Sequence, residues 1–235
     1  MTEVRSPLSP ESVARYDAWY DTPWGAYADA RERARFSELA RPRSGERALD
    51  LGCGTGRYLA WLLSMGLDAF GVEPSHDMLE VAAARLGGEG VRGNRLIAAD
   101  GRALPFRGSV FDLVTAITVL EFVADEDAVL REMARVCRGR LFLGVLNHAS
   151  KYGRQIEEGE MGQTLSRAHL RTVEEWVELV SDAISPARLT WRTCLLGPKV
   201  ESAAELEPQR RLDSLPGSAR LPWGAFVGIL AEFRS

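Results

Sequence analysis

Between Arg47 and Arg57 the chain reads Arg-Ala-Leu-Asp-Leu-Gly-Cys-Gly-Thr-Gly-Arg, a short apolar run that ends in an acid and then a glycine-rich loop. A buried strand that delivers its chain into a tight turn and then a helix reads this way. Gly52, Gly54 and Gly56 can take positive φ and present no Cβ, so the backbone can turn sharply and come close to a ligand. That geometry describes a nucleotide pocket. A dinucleotide fingerprint G-x-G-x-x-G counted from Gly52 needs glycine at position 57, where Arg57 stands instead. A nicotinamide oxidoreductase loses on that residue, and what remains is acid-x-G-x-G-x-G with Asp50 as the acid.

The stretches that follow keep the same alternation. Tyr58 to Met65 carries apolar residues at helical spacing and stops at Gly66; Leu67 to Val72 is a second apolar run ending at Glu73. Arg95 to Asp100 reads as a third strand, again ending in an acid and followed by Gly101. Val110 to Val123 reads as a fourth strand with its loop. These four segments, in this order, resemble the class I S-adenosylmethionine-dependent methyltransferases, and among them the ubiquinone/menaquinone-type small-molecule subgroup. The resemblance is close from Glu46 to Asn147 and loose beyond.

What the resemblance implies is specific. The fold is an α/β, Rossmann-like, seven-stranded, mostly parallel sheet with helices on both faces, an antiparallel last strand and an N-terminal helical lid. The cofactor is S-adenosyl-L-methionine, the product S-adenosyl-L-homocysteine, and the reaction in-line methyl transfer to a small-molecule acceptor. Asp50, Gly52, Cys53, Gly54 and Gly56 form the cofactor loop. Glu73, followed by Pro74, holds the ribose hydroxyls; Met78 packs near adenine; Asp100, beside Gly101, meets the adenine amine; the Ile117-Thr118 backbone faces the methionine portion; and Tyr20 covers the methionine end. A noncatalytic cofactor-binding or regulatory module on the same fold is the competing reading, because a fold and a binding site do not by themselves prove turnover.

At 235 residues the chain suits one methyltransferase domain, divided as residues 1–44 (N-terminal helices), 45–147 (cofactor core) and 148–235 (acceptor-side loops and last strands). A hydrophobic fraction of 46% supports a full core. The net charge of −4, with arginines spread among acids, gives no attraction for polyanions and argues against nucleic acid as a partner. Cys53, Cys137 and Cys194 are odd in number and widely spaced, which argues against a disulfide framework or a metal site and for a reducing cytoplasm. No apolar run approaches a membrane span, and the oligomeric state is open.

Ser9-Pro10-Glu11 reads as a helix start, with Tyr16 and Tyr20 on one face and Trp19 and Trp24 beside it; these aromatics are either a lid or core packing. A second helix is expected over Tyr27 to Ala40. Asp125 is expected to cap a helix ended by Gly139, and Arg140 to Asn147 to form the fifth strand. Thr172 and Glu175 read as a capping box. Strands six and seven fall near Arg188–Leu195 and Gly224–Phe233, leaving Ala149–Arg171 and Gly197–Pro222 as long irregular segments. Methyl transfer from a sulfonium needs alignment more than acid–base help, but an acceptor that must lose a proton benefits from a base. His148, just past the fifth strand, is the candidate; the alternative is a loop histidine bonded locally. Glu121 either orients a neighbour at the site's mouth or caps the following turn.

Overall fold

A computed structural model describes residues 10–92, 95–158 and 165–233. The strands are β1 (Arg47–Leu51), β2 (Asp68–Val72), β3 (Leu96–Ile97), β4 (Phe111–Ile117), β5 (Cys137–Leu146), β6 (Arg188–Cys194) and β7 (Phe226–Glu232). They form one sheet in the order β3-β2-β1-β4-β5-β7-β6. Neighbours from β3 through β5 run parallel, while β7 is antiparallel to both β5 and β6. The expected antiparallel last strand is therefore present. It is inserted between β5 and β6.

The helices are α1 (Pro10–Trp19), α2 (Pro23–Ala40), α3 (Arg57–Ser64), α4 (His76–Arg92), α5 (Glu126–Val136), α6 (Lys151–Glu157), α7 (Val173–Ile184) and α8 (Leu206–Ser214). Alternation along the strands sends side chains to two cores. Phe142 and Phe226 join Trp24 and Phe36 of α2 and Leu59 and Leu62 of α3 on one face. Leu141, Leu143 and Ile229 join Leu130 and Met133 of α5 and Trp176 of α7 on the other. Both faces of the central strands are covered, which is why their sequences read as continuous apolar runs. No helix among the described residues is long and apolar enough to cross a membrane.

Several boundaries differ from the sequence expectation. The proposed cap Ser9 lies outside the described residues. α2 begins at Pro23, four residues before Tyr27, because the Thr22 hydroxyl accepts from the Gly25 amide at 3.0 Å and Pro23 occupies the first helical position. Trp24 is thus a core residue of α2, 2% exposed, and not part of a lid. α5 ends at Val136 and passes directly into β5, so Gly139 is no helix stop. A Cβ there would collide with the Asp112 carbonyl of neighbouring β4, which is the reason for its glycine. β3 is only two residues long, leaving Asp100 in the turn beyond it. The two segments expected to be irregular carry α6 and α8 with short 3-10 turns. The capping box on α7 is present, with Thr172 and Glu175 exchanging bonds of 2.7 and 3.2 Å.

Candidate active site

In an open α/β sheet the ligand crevice lies beyond the carboxyl ends of the strands, where the strand order reverses. Here that point falls between β1 and β4. β1 ends at Leu51 and enters the turn through Gly52, Gly54 and Gly56, all at positive φ (67°, 51° and 76°). The three glycines serve different purposes. A Cβ at Gly52 would strike the Val119 side chain, and one at Gly56 would come within 2.9 Å of the Ala82 Cβ, so these two allow close packing against the loop after β4 and against α4. At Gly54 the nearest atom to an added Cβ is the Met78 sulfur at 3.9 Å. An added Cβ would meet only ordinary contacts there, so the backbone leaves room for a ligand to approach.

The neighbouring acids are electrostatically unusual. Asp50 is 2% exposed and its Oδ2 has no hydrogen-bond partner. Burial, with a smaller contribution from Glu73, pushes its carboxyl up to about 8. The Glu73 side chain at the end of β2 accepts from the Ser75 amide at 2.9 Å and the Gly54 amide at 3.2 Å, tying the second strand end to the glycine loop. Burial nonetheless raises its pKa. A buried polar atom without a partner costs free energy, and a ligand donor at this strand end would satisfy Asp50. The residues present fit a nucleoside cofactor with a polar tail.

The sequence-selected residues fall into three groups. Asp50, Gly52, Cys53, Ile117, Thr118 and Tyr20 line one cavity of about 30 Å³, together with Tyr16, Asp29, Thr55, Arg57 and Tyr58. Thr118 holds a φ of 50°, an uncommon conformation for a non-glycine residue. Its amide donates to the Gly144 carbonyl at 2.7 Å. Cys53 is buried, and burial raises its thiol well above the ordinary range, so it is no nucleophile. Met78 is buried beside Gly54, while Pro74 is exposed beyond Glu73. Asp100 is held by Arg102 through contacts of 2.5 to 3.1 Å that lower its pKa, and Gly101 packs on Leu51. His148 is apart from these. Its Nε2 lies 2.9 Å from a Glu157 carboxylate oxygen, with both side chains about half exposed, and it is not among the residues lining the cavity.

The sequence reading passed over Asp17, Asp29, Arg57 and Tyr58. Asp17 of α1 accepts from Thr55 Oγ1 at 2.9 Å, Arg57 Nε at 2.9 Å and an Arg85 guanidinium nitrogen at 2.6 Å. Burial works to raise its pKa, but these three donors outweigh it and hold the carboxyl below its usual range. The Arg57 guanidinium also stacks on Tyr20, 4.6 Å from the ring centroid. α1 is thereby fastened over the glycine loop, and Tyr16 and Tyr20, joined hydroxyl to hydroxyl at 3.0 Å, roof the cavity. A signal existed in the sequence: Asp17 lies between Tyr16 and Tyr20, and Arg57 directly follows the glycine loop. Glu121 is fully buried after β4; its Oε1 accepts from the Leu146 amide at 2.5 Å, its Oε2 has no partner, and burial pushes it up to about 7.

Residues 49–142 match a family model described as a methyltransferase domain. The chain is 34% identical over 171 residues to a ubiquinone biosynthesis O-methyltransferase of Sinorhizobium medicae, an alignment covering 63% of this chain and 68% of that protein. This chain belongs to the S-adenosylmethionine-dependent methyltransferases. An uncharacterised Mycobacterium tuberculosis protein is 34% identical over 207 residues, covering 83% of this chain; this methyltransferase chain spans 66% of that relative's length. A solved Thermotoga maritima structure, described as a SAM-dependent methyltransferase and possible histamine N-methyltransferase, superposes with a TM-score of 0.70 at 24% identity over 96% of this chain and 98% of its own. A Haemonchus contortus phosphoethanolamine N-methyltransferase solved with S-adenosyl-L-methionine gives 0.69 at 16% identity over 97% of this chain and 58% of its own. At such identities these structures establish the shared fold.

Proposed function

We propose that this methyltransferase transfers a methyl group to a small molecule held between the glycine loop and the α1–α2 pair. The observation that carries the reading is the combination at the end of β1: an uncrowded glycine at Gly54 beside the unpartnered buried oxygen of Asp50. S-adenosylmethionine, when bound, supplies a methyl group already activated on its sulfonium. The chain's task is then to bind, align and keep out water. Glu73 is assigned the ribose hydroxyls, Asp50 a donor of the cofactor's methionine portion, Met78 the adenine face, and Asp100 the adenine amine, for which it shares its carboxylate with Arg102. Gly101 and Pro74 shape the neighbouring turns. Ile117, Thr118 and Tyr20 wall the methionine end.

The narrow cavity under α1 offers no room for a macromolecular acceptor, and the net charge of −4 disfavours polyanionic substrates. The quinone-pathway name of the Sinorhizobium relative fits the same size class. Three buried free cysteines suit a reducing cytoplasm. Titration calorimetry with S-adenosylhomocysteine tests the reading, followed by mass-spectrometric detection of methylated products from phenols, amines and thiols. Binding at micromolar or tighter dissociation constants is expected. Absence of binding in the folded protein overturns the assignment, and binding without transfer to any acceptor supports a noncatalytic module instead.

A further inference from the structure

α2 carries a carboxylate that the cofactor does not need. Ala28, Glu32 and Phe36 are spaced four residues apart and so form one row on the helix. Ala28 and Phe36 are 2% and 0% exposed, which turns the intervening Glu32 inward. Phe36 packs edge-on against Tyr58, whose own buried hydroxyl has no partner and borders the cavity under α1. Glu121, just after β4, is fully buried, with Oε2 equally without a partner. Tyr58 and Glu121, each with an unsatisfied buried polar atom, both lie within electrostatic reach of Glu32.

The cations nearby are already committed. Arg31 bonds the Asp213 carbonyl at 3.2 Å, Arg33 holds Asp29 at 2.9 Å, Arg35 pairs with Glu38, and Arg57 and Arg85 pair with Asp17. No ion pair is found for Glu32 or Glu121 among the described residues. Burial, followed by the charges of Asp29 and Glu121 and only partly opposed by Arg33, pushes Glu32 up to about 8. Its row neighbours Ala28 and Phe36 belong to the core cluster that also holds Tyr58 and Tyr152, so Glu32 lies on the helix face turned to those rings, and beyond the effect of burial its charge contributes to raising their hydroxyls. A carboxylate with no ion pair, on a helix face turned to an aromatic core, is complementary to an organic cation.

We propose that the methyl acceptor is a small amine, bound as an ammonium by Glu32 on this aromatic side of α2 and deprotonated by that carboxylate. This deepens the methyltransferase reading and rests on it. The ammonium nitrogen gives a proton to the Glu32 carboxylate, and its freed lone pair forms the bond to the methyl carbon as the carbon–sulfur bond breaks, leaving that electron pair on sulfur. The products are the N-methylated ammonium and the uncharged thioether, and the proton on Glu32 returns to solvent. A carboxyl whose pKa lies near neutrality is suited to such a transfer.

The test uses the full chain saturated with S-adenosylhomocysteine, so that acceptor binding is measured without turnover. Calorimetry compares benzylamine and tyramine with the alcohol and thiol of each skeleton. An amine should bind at least about tenfold more tightly than its matched alcohol and thiol, and Glu32→Gln should remove that preference while leaving the affinity for S-adenosylhomocysteine unchanged. The unchanged cofactor affinity also certifies that the variant is folded. With S-adenosylmethionine present, the N-methylated product should form in the wild type and fall at least about a hundredfold in Glu32→Gln. Equal or tighter binding of the alcohol or thiol, failure of both amines to bind, or an intact amine preference in Glu32→Gln overturns the proposal and leaves the methyltransferase reading standing. Failure to bind S-adenosylhomocysteine overturns both.

Discussion

Glu73 and Asp50 sit one strand apart, yet their contributions separate cleanly. Glu73 is assigned two ribose hydroxyls, and hydrogen bonds to a charged acceptor contribute about 1.5 to 3 kcal/mol each, so Glu73→Ala should weaken S-adenosylhomocysteine binding about tenfold or more in calorimetry. Asp50 governs a pH dependence instead. In the folded protein its carboxyl keeps its proton up to about pH 8, whereas an unfolded aspartic acid releases it near about pH 3.9. Between those values the unfolded chain binds fewer protons than the native one. Raising pH through that window therefore lowers stability, by roughly 1.4 kcal/mol per unit for a fully titrating group, and the loss levels off once the native carboxyl has ionised. Glu121, pushed up to about 7, acts in the same direction. Asp50→Asn should accordingly gain on the wild type as pH rises from 5 to 8 in thermal melts without ligand, and a constant difference across that range would show that Asp50 is ionised when folded. The glycines and acids of the first two strand ends were readable in the sequence because strand, turn and partner lie within a few residues. Which groups surround Asp17 and Glu32 was not readable, since those groups come from distant segments that only the tertiary fold brings together.

At the scale of elements, α1 is the piece whose position is contingent. A ten-residue helix is marginal alone, and it is held to α3 and α4 chiefly through the Asp17 contacts with Thr55, Arg57 and Arg85. The cavity beneath it has about the volume of one water, so entry of a larger ligand requires this helix to shift outward. Asp17→Ala should speed hydrogen exchange across Pro10–Trp19 while the amides of β1, β4 and β5 keep their protection. Unaltered exchange in α1 would mean that apolar contacts, not the carboxylate, fix it. In the wild type, S-adenosylhomocysteine should increase protection of α1 together with the Gly52–Gly56 loop; a response confined to the loop would make Tyr16 and Tyr20 packing residues only. The start of α2 was present in the sequence as Thr22-Pro23, but Trp24 also continues the aromatic spacing of α1, and that ambiguity hid the boundary. The reason for Gly139 was invisible, because it lies in the Asp112 backbone of the adjacent strand and not in local helix chemistry.

For the molecule as a whole, ligand binding to the native state alone raises stability by about 2.7 kcal/mol at a hundredfold excess over the dissociation constant. For a chain of this size that corresponds to roughly 5 to 10 °C in melting temperature. S-adenosylhomocysteine should produce such a shift and NAD or NADP none; a shift with the dinucleotides alone would contradict the reading of Arg57 as the residue that breaks their fingerprint. The parallel half of the sheet followed from alternating apolar runs and helical spacing, and the antiparallel strand from the family resemblance. The insertion of β7 between β5 and β6 also bears on how the chain is made. β6 is translated before Phe226–Glu232, its sole neighbour in the finished sheet among the described residues. At about 5 to 20 residues per second the ribosome takes roughly 2 to 8 s to complete that neighbour, and until then β6 has two bare edges and β5 one. A nascent strand in that condition invites pairing with another chain, and the charges of Arg188 and Arg192 along β6 oppose it.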